Sequence, residues 1–245
     1  MSAVLLDARP TSLEHRIADA PWRAIGDALD ADGVATVPRL LTQHEADDLA
    51  ALYVERERFR SRVVMERHRF GAGEYQYFAY PLPPIVQTLR ENLYAALVPH
   101  ANRWTERLAD RAPFPSTLAA FLDDCHAAGQ RRPTPLLLRY DEGGYNCLHQ
   151  DLYGAEVFPL QVVILLSEPG RDFEGGELVL VEQRPRAQSA ARVVPLRIGD
   201  AAIIATHHRP QQGSRGWHRV TLRHGVSRVL RGRRFTAGIV FHDAT

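Results

Sequence analysis

The sequence predicts an α+β protein: a helical first half packed on one sheet of an antiparallel sandwich or jelly roll. Two patterns predict it. In the first half, apolar residues recur at helical period, most clearly at Ile85, Leu89, Leu93 and Leu97. From Pro133 onward, short apolar runs follow one another with turn residues between them and no helical pattern. With 245 residues, 45% of them hydrophobic, the chain can form one large core. No repeat, low-complexity tract or linker divides it. The expectation is a single domain, 1–245, with a mainly helical support region over 1–132 and a stranded core over 133–245.

Taken in order, Pro21 to Ala31 reads as a short helix ended by the Asp32-Gly33 turn, and Gly33 to Val37 as a strand. A second helix runs from Gln43 to about Arg58. Thr42 stands at its N-cap and Glu45 three residues on, which is capping-box spacing. A strand is expected around Val63 to Met65. Pro81 to Pro84 breaks the chain before a long helix from Ile85 to Leu108, and Ser116 caps a further helix to about Ala128. The second half gives strands at Leu136–Tyr140, Leu160–Leu166, Leu178–Val181, Val193–Leu196, Ala201–Ala205, Trp217–Arg223 and Phe235–Phe241. Gly143-Gly144, Gly175-Gly176 and Gly199-Asp200 mark turns. Ala187 to Ala191 reads as a loop tip.

Composition excludes several chemistries. All 30 basic residues are arginine, so Schiff-base catalysis, pyridoxal phosphate anchoring and a P-loop lysine are ruled out. Two cysteines, Cys125 and Cys147, are too few for a disulfide framework and lack zinc spacing. Met1 to Pro10 does not resemble a signal peptide, and no apolar run approaches the roughly 18–20 residues that span a bilayer. A cytoplasmic protein without membrane contact is expected. The net charge of +1 argues against a general nucleic-acid binder. Yet eight arginines and no acid lie between Arg209 and Arg234. That run suits phosphates, carboxylates of a small substrate, or simply a solvated strand face.

Of the eleven histidines, only His149 has an acid two residues later, Asp151. On an extended chain, residues i and i+2 face the same side, so imidazole and carboxylate can reach one point. They are two thirds of the facial triad that holds non-haem iron(II). Further on, His224 is followed by Val226, Val229, Gly232 and Arg234, read as a strand, a turn at Leu230 to Arg233 and a returning strand. Such a hairpin brings Arg234 near the histidine, where its fork can hold a ligand carboxylate. Thr236 points the same way.

These motifs, with Leu138-Arg139-Tyr140 and Phe173-Glu174-Gly175-Gly176-Glu177-Leu178 between and before them, resemble the iron(II)- and 2-oxoglutarate-dependent oxygenases. The stretch from Gly225 to Asp243 also resembles a bacterial branch of that family often labelled as repairing alkylated nucleic acid. The resemblance implies a double-stranded β-helix, a cupin-like jelly roll. It implies Fe(II) held by His149, Asp151 and His224, and 2-oxoglutarate with its far carboxylate on Arg234, Tyr140 and Thr236 standing beside it. O2 would complete the reaction, giving succinate and a hydroxylated C–H bond. The expected substrate is a small molecule or a protein residue. Demethylation of alkylated nucleic acid is the alternative within the same chemistry, and a non-catalytic ligand-binding jelly roll the alternative outside it.

Other residues compete for these roles. His218 also has valine at +2 and arginine (Arg228) at +10, but lacks the glycine at +8. His207 and His208 are adjacent, face opposite ways in an extended chain, and read as surface or loop histidines. His242 and Asp243 read as a C-terminal polar cap, and Cys147 as a nearby thiol. The loop from Arg209 to Gly216 is expected at the substrate entrance. Tyr145, Tyr153, Tyr75, Tyr77 and Phe78 are candidates for the cavity wall, although buried packing is the expected role for most of them.

Overall fold

The computed structural model describes residues 11–183 and 188–245. The opening Met1–Pro10 stretch and Ala187 of the expected loop tip lie outside them. The helices all come from the first half: α1 (Leu13–Ala18), α2 (Trp22–Asp32), α3 (Gln43–Ala51), α4 (Pro84–Leu108) and α5 (Leu118–Ala127). α2 stops where the turn was expected, at Gly33, whose φ of 69° closes the helix as its N–H bonds the Leu29 carbonyl. The capping box forms on α3: the Thr42 hydroxyl accepts the Glu45 N–H, and Glu45 accepts the Thr42 N–H. α3 ends at Ala51, short of Arg58. Tyr53 turns inward onto Phe59 and Phe235, and its hydroxyl donates to Glu74, so the chain continues as two tight 3-10 turns. In α4, Leu89, Leu93 and Leu97 are fully buried. Thr117, one residue beyond the expected Ser116, caps α5 by accepting the Ala120 N–H.

Among the described residues the strands, in chain order, are β1 (Val34–Val37), β2 (Phe59–Val64), β3 (Gly71–Ala72), β4 (Glu74–Phe78), β5 (Leu136–Tyr140), β6 (Tyr145–His149), β7 (Leu160–Leu165), β8 (Phe173–Gly175), β9 (Leu178–Gln183), β10 (Ala190–Val194), β11 (Ala201–Ala205), β12 (His208–Gly213), β13 (Gly216–Val226), β14 (Val229–Gly232) and β15 (Arg234–Ile239). The larger sheet runs β1-β11-β7-β15-β5-β4-β2 and the smaller one β10-β9-β13-β6-β3, with β12 folded back on β13. β8 and β14 form a separate pair. Among the described residues the strands named here pair antiparallel, and the two sheets make the jelly roll that the sequence predicts. The first half is not purely helical support: β1, β2 and β4 extend the larger sheet.

Three expectations are corrected. No hairpin joins His224 to Arg234. β13 belongs to the smaller sheet and β15 to the larger, and the chain crosses between them through β14, which pairs with β8. The Arg209–Gly216 segment is not an entrance loop either, but β12 and its turn into β13, with Gly213 opposite Gly216. Its proline and glutamines hide the strand because an edge position, paired on one side, needs no apolar alternation. The expected strand Val193–Leu196 is shifted to β10, whose register follows β9 from Glu182 back to Leu178.

A continuous apolar core joins the helices to the larger sheet, with Leu89, Leu93 and Leu97 in one cluster with Val162, Ile164, Ile203 and Phe241. Across it runs a buried ion pair. Arg90 on α4 meets Asp243 at 2.8 Å and also donates to the Val240 and Phe241 carbonyls. His126 and Tyr80 bond the same carboxylate. The C-terminal His242 and Asp243, read as a polar cap, are fully buried. Among the described residues, no helix is long and apolar enough to cross a membrane. Because Asp243 is fully buried, Arg90→Met strands a charge, and urea unfolding should show a loss of about 3–5 kcal/mol. Replacing both partners, Arg90→Met with Asp243→Leu, should lose distinctly less.

Candidate metal centre and anion receptor

β6 and β13 are neighbours, with His149 directly opposite His224 in the ladder. Cross-strand partners on one face lie close, and here the ring centroids are 4.2 Å apart. Asp151 sits just past the end of β6. Its Oδ2 lies 3.2 Å from His224 Nε2 and its Oδ1 3.6 Å from His149 Nε2. The three donor atoms fall within 4.8 Å of one another, the spacing of ligands around one ion, and the residues are half-buried or buried. Two imidazole nitrogens and a carboxylate oxygen so placed fit the donor set that holds iron(II).

Electrostatics prepare the set. His149 is pushed down from its ordinary pKa by burial and then by His224, which keeps it neutral. Its Nδ1 lies 2.9 Å from the Cys147 carbonyl, so Nδ1 carries the proton and the Nε2 lone pair faces Asp151. Burial opposes ionisation of Asp151, but the hydrogen bond to His224, the two neighbouring imidazoles and the Tyr153 hydroxyl together hold its carboxyl well below the usual range. Between the two ligand candidates, Gln150 points the other way. Its amide donates to the carbonyls of His207 and Leu222, both at 2.9 Å, and ties the end of β6 to the strand carrying His224. Sequence reading passes over Gln150, because both of its partners are more than fifty residues away.

The donor cluster opens into a cavity of about 340 Å³ between the two sheets. Arg234, Thr236 and Tyr140 line the same cavity from the larger sheet, with Arg234 paired opposite Tyr140. Arg234 is 1% exposed. Its Nε and Nη1 have no hydrogen-bond partner among the described residues. The rings of Tyr140 and Phe173 lie 5.7 and 5.8 Å from the guanidinium. Burial lowers its pKa to about 10, which leaves it charged at neutral pH. Gly176 explains part of the glycine pair beside it: at φ 63°, a Cβ there would come within 2.9 Å of Arg234 Cδ.

The other candidates separate from this site. His218 is exposed on the β12–β13 hairpin, opposite Gln211 and away from the cluster. His207 and His208 are half-buried rather than on the surface, and their rings stack edge-on at 3.6 Å against a second cavity with Asp110 and Arg219. Tyr75, Tyr77 and Tyr153 line the first cavity, as does Cys147 at its rim. Phe78 instead stacks on Phe59 in the core, and Tyr145 lies under Arg228.

A sequence model of an oxygenase family, described as "catalysing oxidative methylation of damaged DNA", matches residues 73–244. The chain belongs to this oxygenase family. An uncharacterised protein of Mycobacterium tuberculosis H37Rv is 48% identical over 167 residues, 68% of this oxygenase and 72% of its relative. Two solved structures share the fold at low identity. A Trichoplax adhaerens prolyl hydroxylase, in complex with a hypoxia inducible factor peptide, has a TM-score of 0.57 at 12% identity and covers 94% of this chain and 92% of its own. A Burkholderia pseudomallei oxidoreductase of the 2OG-Fe(II) oxygenase family has a TM-score of 0.52 at 14% identity, covering 93% and 94%. The cofactor set expected from the sequence, Fe(II), 2-oxoglutarate and O2, agrees with this family and with the donors present.

Arg234 has no ion pair among the described residues, and a buried cation so placed weakens the ligand-free fold. Arg234→Met keeps the volume and removes the charge, so it should stabilise the ligand-free oxygenase by about 1–3 kcal/mol in chemical unfolding.

Proposed function

We propose that the chain is an iron(II)- and 2-oxoglutarate-dependent hydroxylase acting on a C–H bond of a small molecule or an amino-acid side chain. One observation carries the reading: the His149, Asp151 and His224 donors and the unpaired Arg234 guanidinium face into one cavity. In this reading the three donors hold Fe(II). Arg234 takes the far carboxylate of 2-oxoglutarate, with the Thr236 hydroxyl and Tyr140 beside it. Bound there, the iron supplies the oxidation: O2 and 2-oxoglutarate become succinate and CO2, and one oxygen atom enters the substrate C–H bond as hydroxyl. Leu138, Val163 and Leu178 keep water from the charged contacts, which strengthens them. Tyr75, Tyr77 and Leu136 bound the remaining space, and Phe70, Leu148 and Arg69 form the rim.

The substrate class is supported by what the arginine run does. Arg209 pairs with Glu182, Arg219 with Asp110, Arg231 with Glu174 and Arg233 with Asp141. These four offer less to a phosphate backbone, whereas Arg215, Arg223 and Arg228 are exposed and have no ion pair among the described residues. A second reading, oxidative removal of methyl groups from damaged DNA, is favoured by the description of the matching family. It requires a flipped base, for which the exposed Phe70 ring, stacked on His68, and the adjoining Arg69 are the available platform.

The test is anaerobic titration of metal-free protein with Fe(II) and 2-oxoglutarate. A visible charge-transfer band should appear in the wild type, vanish in His149→Ala and His224→Ala, and need at least tenfold more 2-oxoglutarate in Arg234→Ala. No band in folded wild-type protein would overturn the oxygenase reading in favour of a binding jelly roll. Succinate release in air then separates the substrates. Stimulation by amino acids or peptides supports the first reading, and stimulation by methylated single-stranded DNA alone supports the second.

A further inference from the structure

Asp151 lies beyond the end of β6 on an irregular stretch, so no ladder holds its carboxylate. Tyr153 does. Its hydroxyl donates to Asp151 Oδ1 at 2.5 Å, while Oδ2 faces His224. Hydroxyl-to-carboxylate bonds of this length are among the stronger hydrogen bonds in proteins. Tyr153 is itself held in place. Its ring stands edge-on to Tyr77, 6.1 Å between centroids, and 5.8 Å from His242, and its carbonyl accepts the Thr245 N–H.

We propose that Tyr153 is a positioning residue whose hydroxyl reserves one oxygen of Asp151, so that the carboxylate gives the metal its other oxygen and does not chelate. The inference rests on the reading of His149, Asp151 and His224 as ligands and adds to it a reason for an open coordination position. In six-coordinate geometry, two imidazoles and a single carboxylate oxygen leave three positions, enough for a chelating cosubstrate and O2 together. A carboxylate bound through both oxygens leaves two, which the cosubstrate alone fills. Tyr153 thus guards the oxygen position by orienting a ligand, without touching the reacting atoms.

The test uses cobalt(II) as the probe, titrated into the metal-free full chain and followed by its visible d–d absorption. Tyr153→Phe removes one oxygen and keeps the ring packing. It should weaken cobalt binding about 10–100-fold and change the shape of the d–d spectrum, a readout that a merely structural role would not move. Should that variant fail to fold, 3-fluorotyrosine at position 153 keeps the packing and alters only the donor, and a shifted d–d spectrum is then expected. If His224→Ala loses cobalt while removal or alteration of the Tyr153 hydroxyl leaves affinity and spectrum at wild-type values, the positioning role is wrong and the ligand set stands. If wild type and His224→Ala bind cobalt alike, the ligand reading fails, and the role of Tyr153 with it.

Discussion

One unpaired charge governs the inner end of the cavity. Arg234 is enclosed, two of its nitrogens have no hydrogen-bond partner among the described residues, and it remains protonated at neutral pH. Leaving a buried cation without an anion costs several kcal/mol. The aromatic faces of Tyr140 and Phe173 offset only part of that. The position is nevertheless well built. β15 lies between β5 and β7, so ladders on both sides fix the Arg234 backbone or its immediate neighbours, and Gly176 clears space for the side chain. A rigid frame around an uncompensated charge is the form a receptor takes when a ligand supplies the missing anion.

The other end of the cavity is built from the opposite sheet. His149 and His224 are cross-strand neighbours in the smaller sheet, whereas Arg234, Thr236 and Tyr140 belong to the larger one. The span between donor cluster and guanidinium is therefore set by how the sheets pack, not by any single strand. The helical half braces this arrangement from outside. α4 reaches the last residues of the chain through the buried Arg90–Asp243 pair, and the next two residues end at Thr245, whose N–H meets the Tyr153 carbonyl. A bracing contact far from the cavity thus runs by short steps to the residue that holds Asp151.

What the sequence disclosed follows the range of each interaction. His149 and Asp151 were legible because an i, i+2 pair in extended chain shares a face whatever the fold. The capping box on α3 was legible for the same local reason. The path from His224 to Arg234 was misread as a hairpin, since nothing in residues 224–234 says that the two ends enter different sheets. β12 was missed because an edge strand of polar residues carries no alternation. Gln150 and Asp243 were passed over or misplaced because their partners, the His207 and Leu222 carbonyls and the Arg90 guanidinium, come from distant segments.

The arginine run shows why a charge pattern in sequence is weaker evidence than a charge pattern in space. Read along the chain, Arg209 to Arg234 has no acid and suggests a surface for phosphates. In the fold, acids from elsewhere come to it: Glu182 from β9, Glu174 from β8, Asp141 after β5 and Asp110 after α4. An arginine already paired gains little from a phosphate, because the pair it has must first be broken, and few counterions are released in the exchange. The case for a nucleic-acid substrate therefore falls on the cavity rim, on Phe70 and Arg69, and on Arg215, Arg223 and Arg228, the exposed members of the run with no ion pair among the described residues. Phe70 and Arg69 adjoin β6 directly, for the Phe70 carbonyl accepts the Cys147 N–H two residues before His149. That hydrogen bond ties the rim to the strand that carries His149, so Phe70 and the donor cluster share one rigid wall of the cavity.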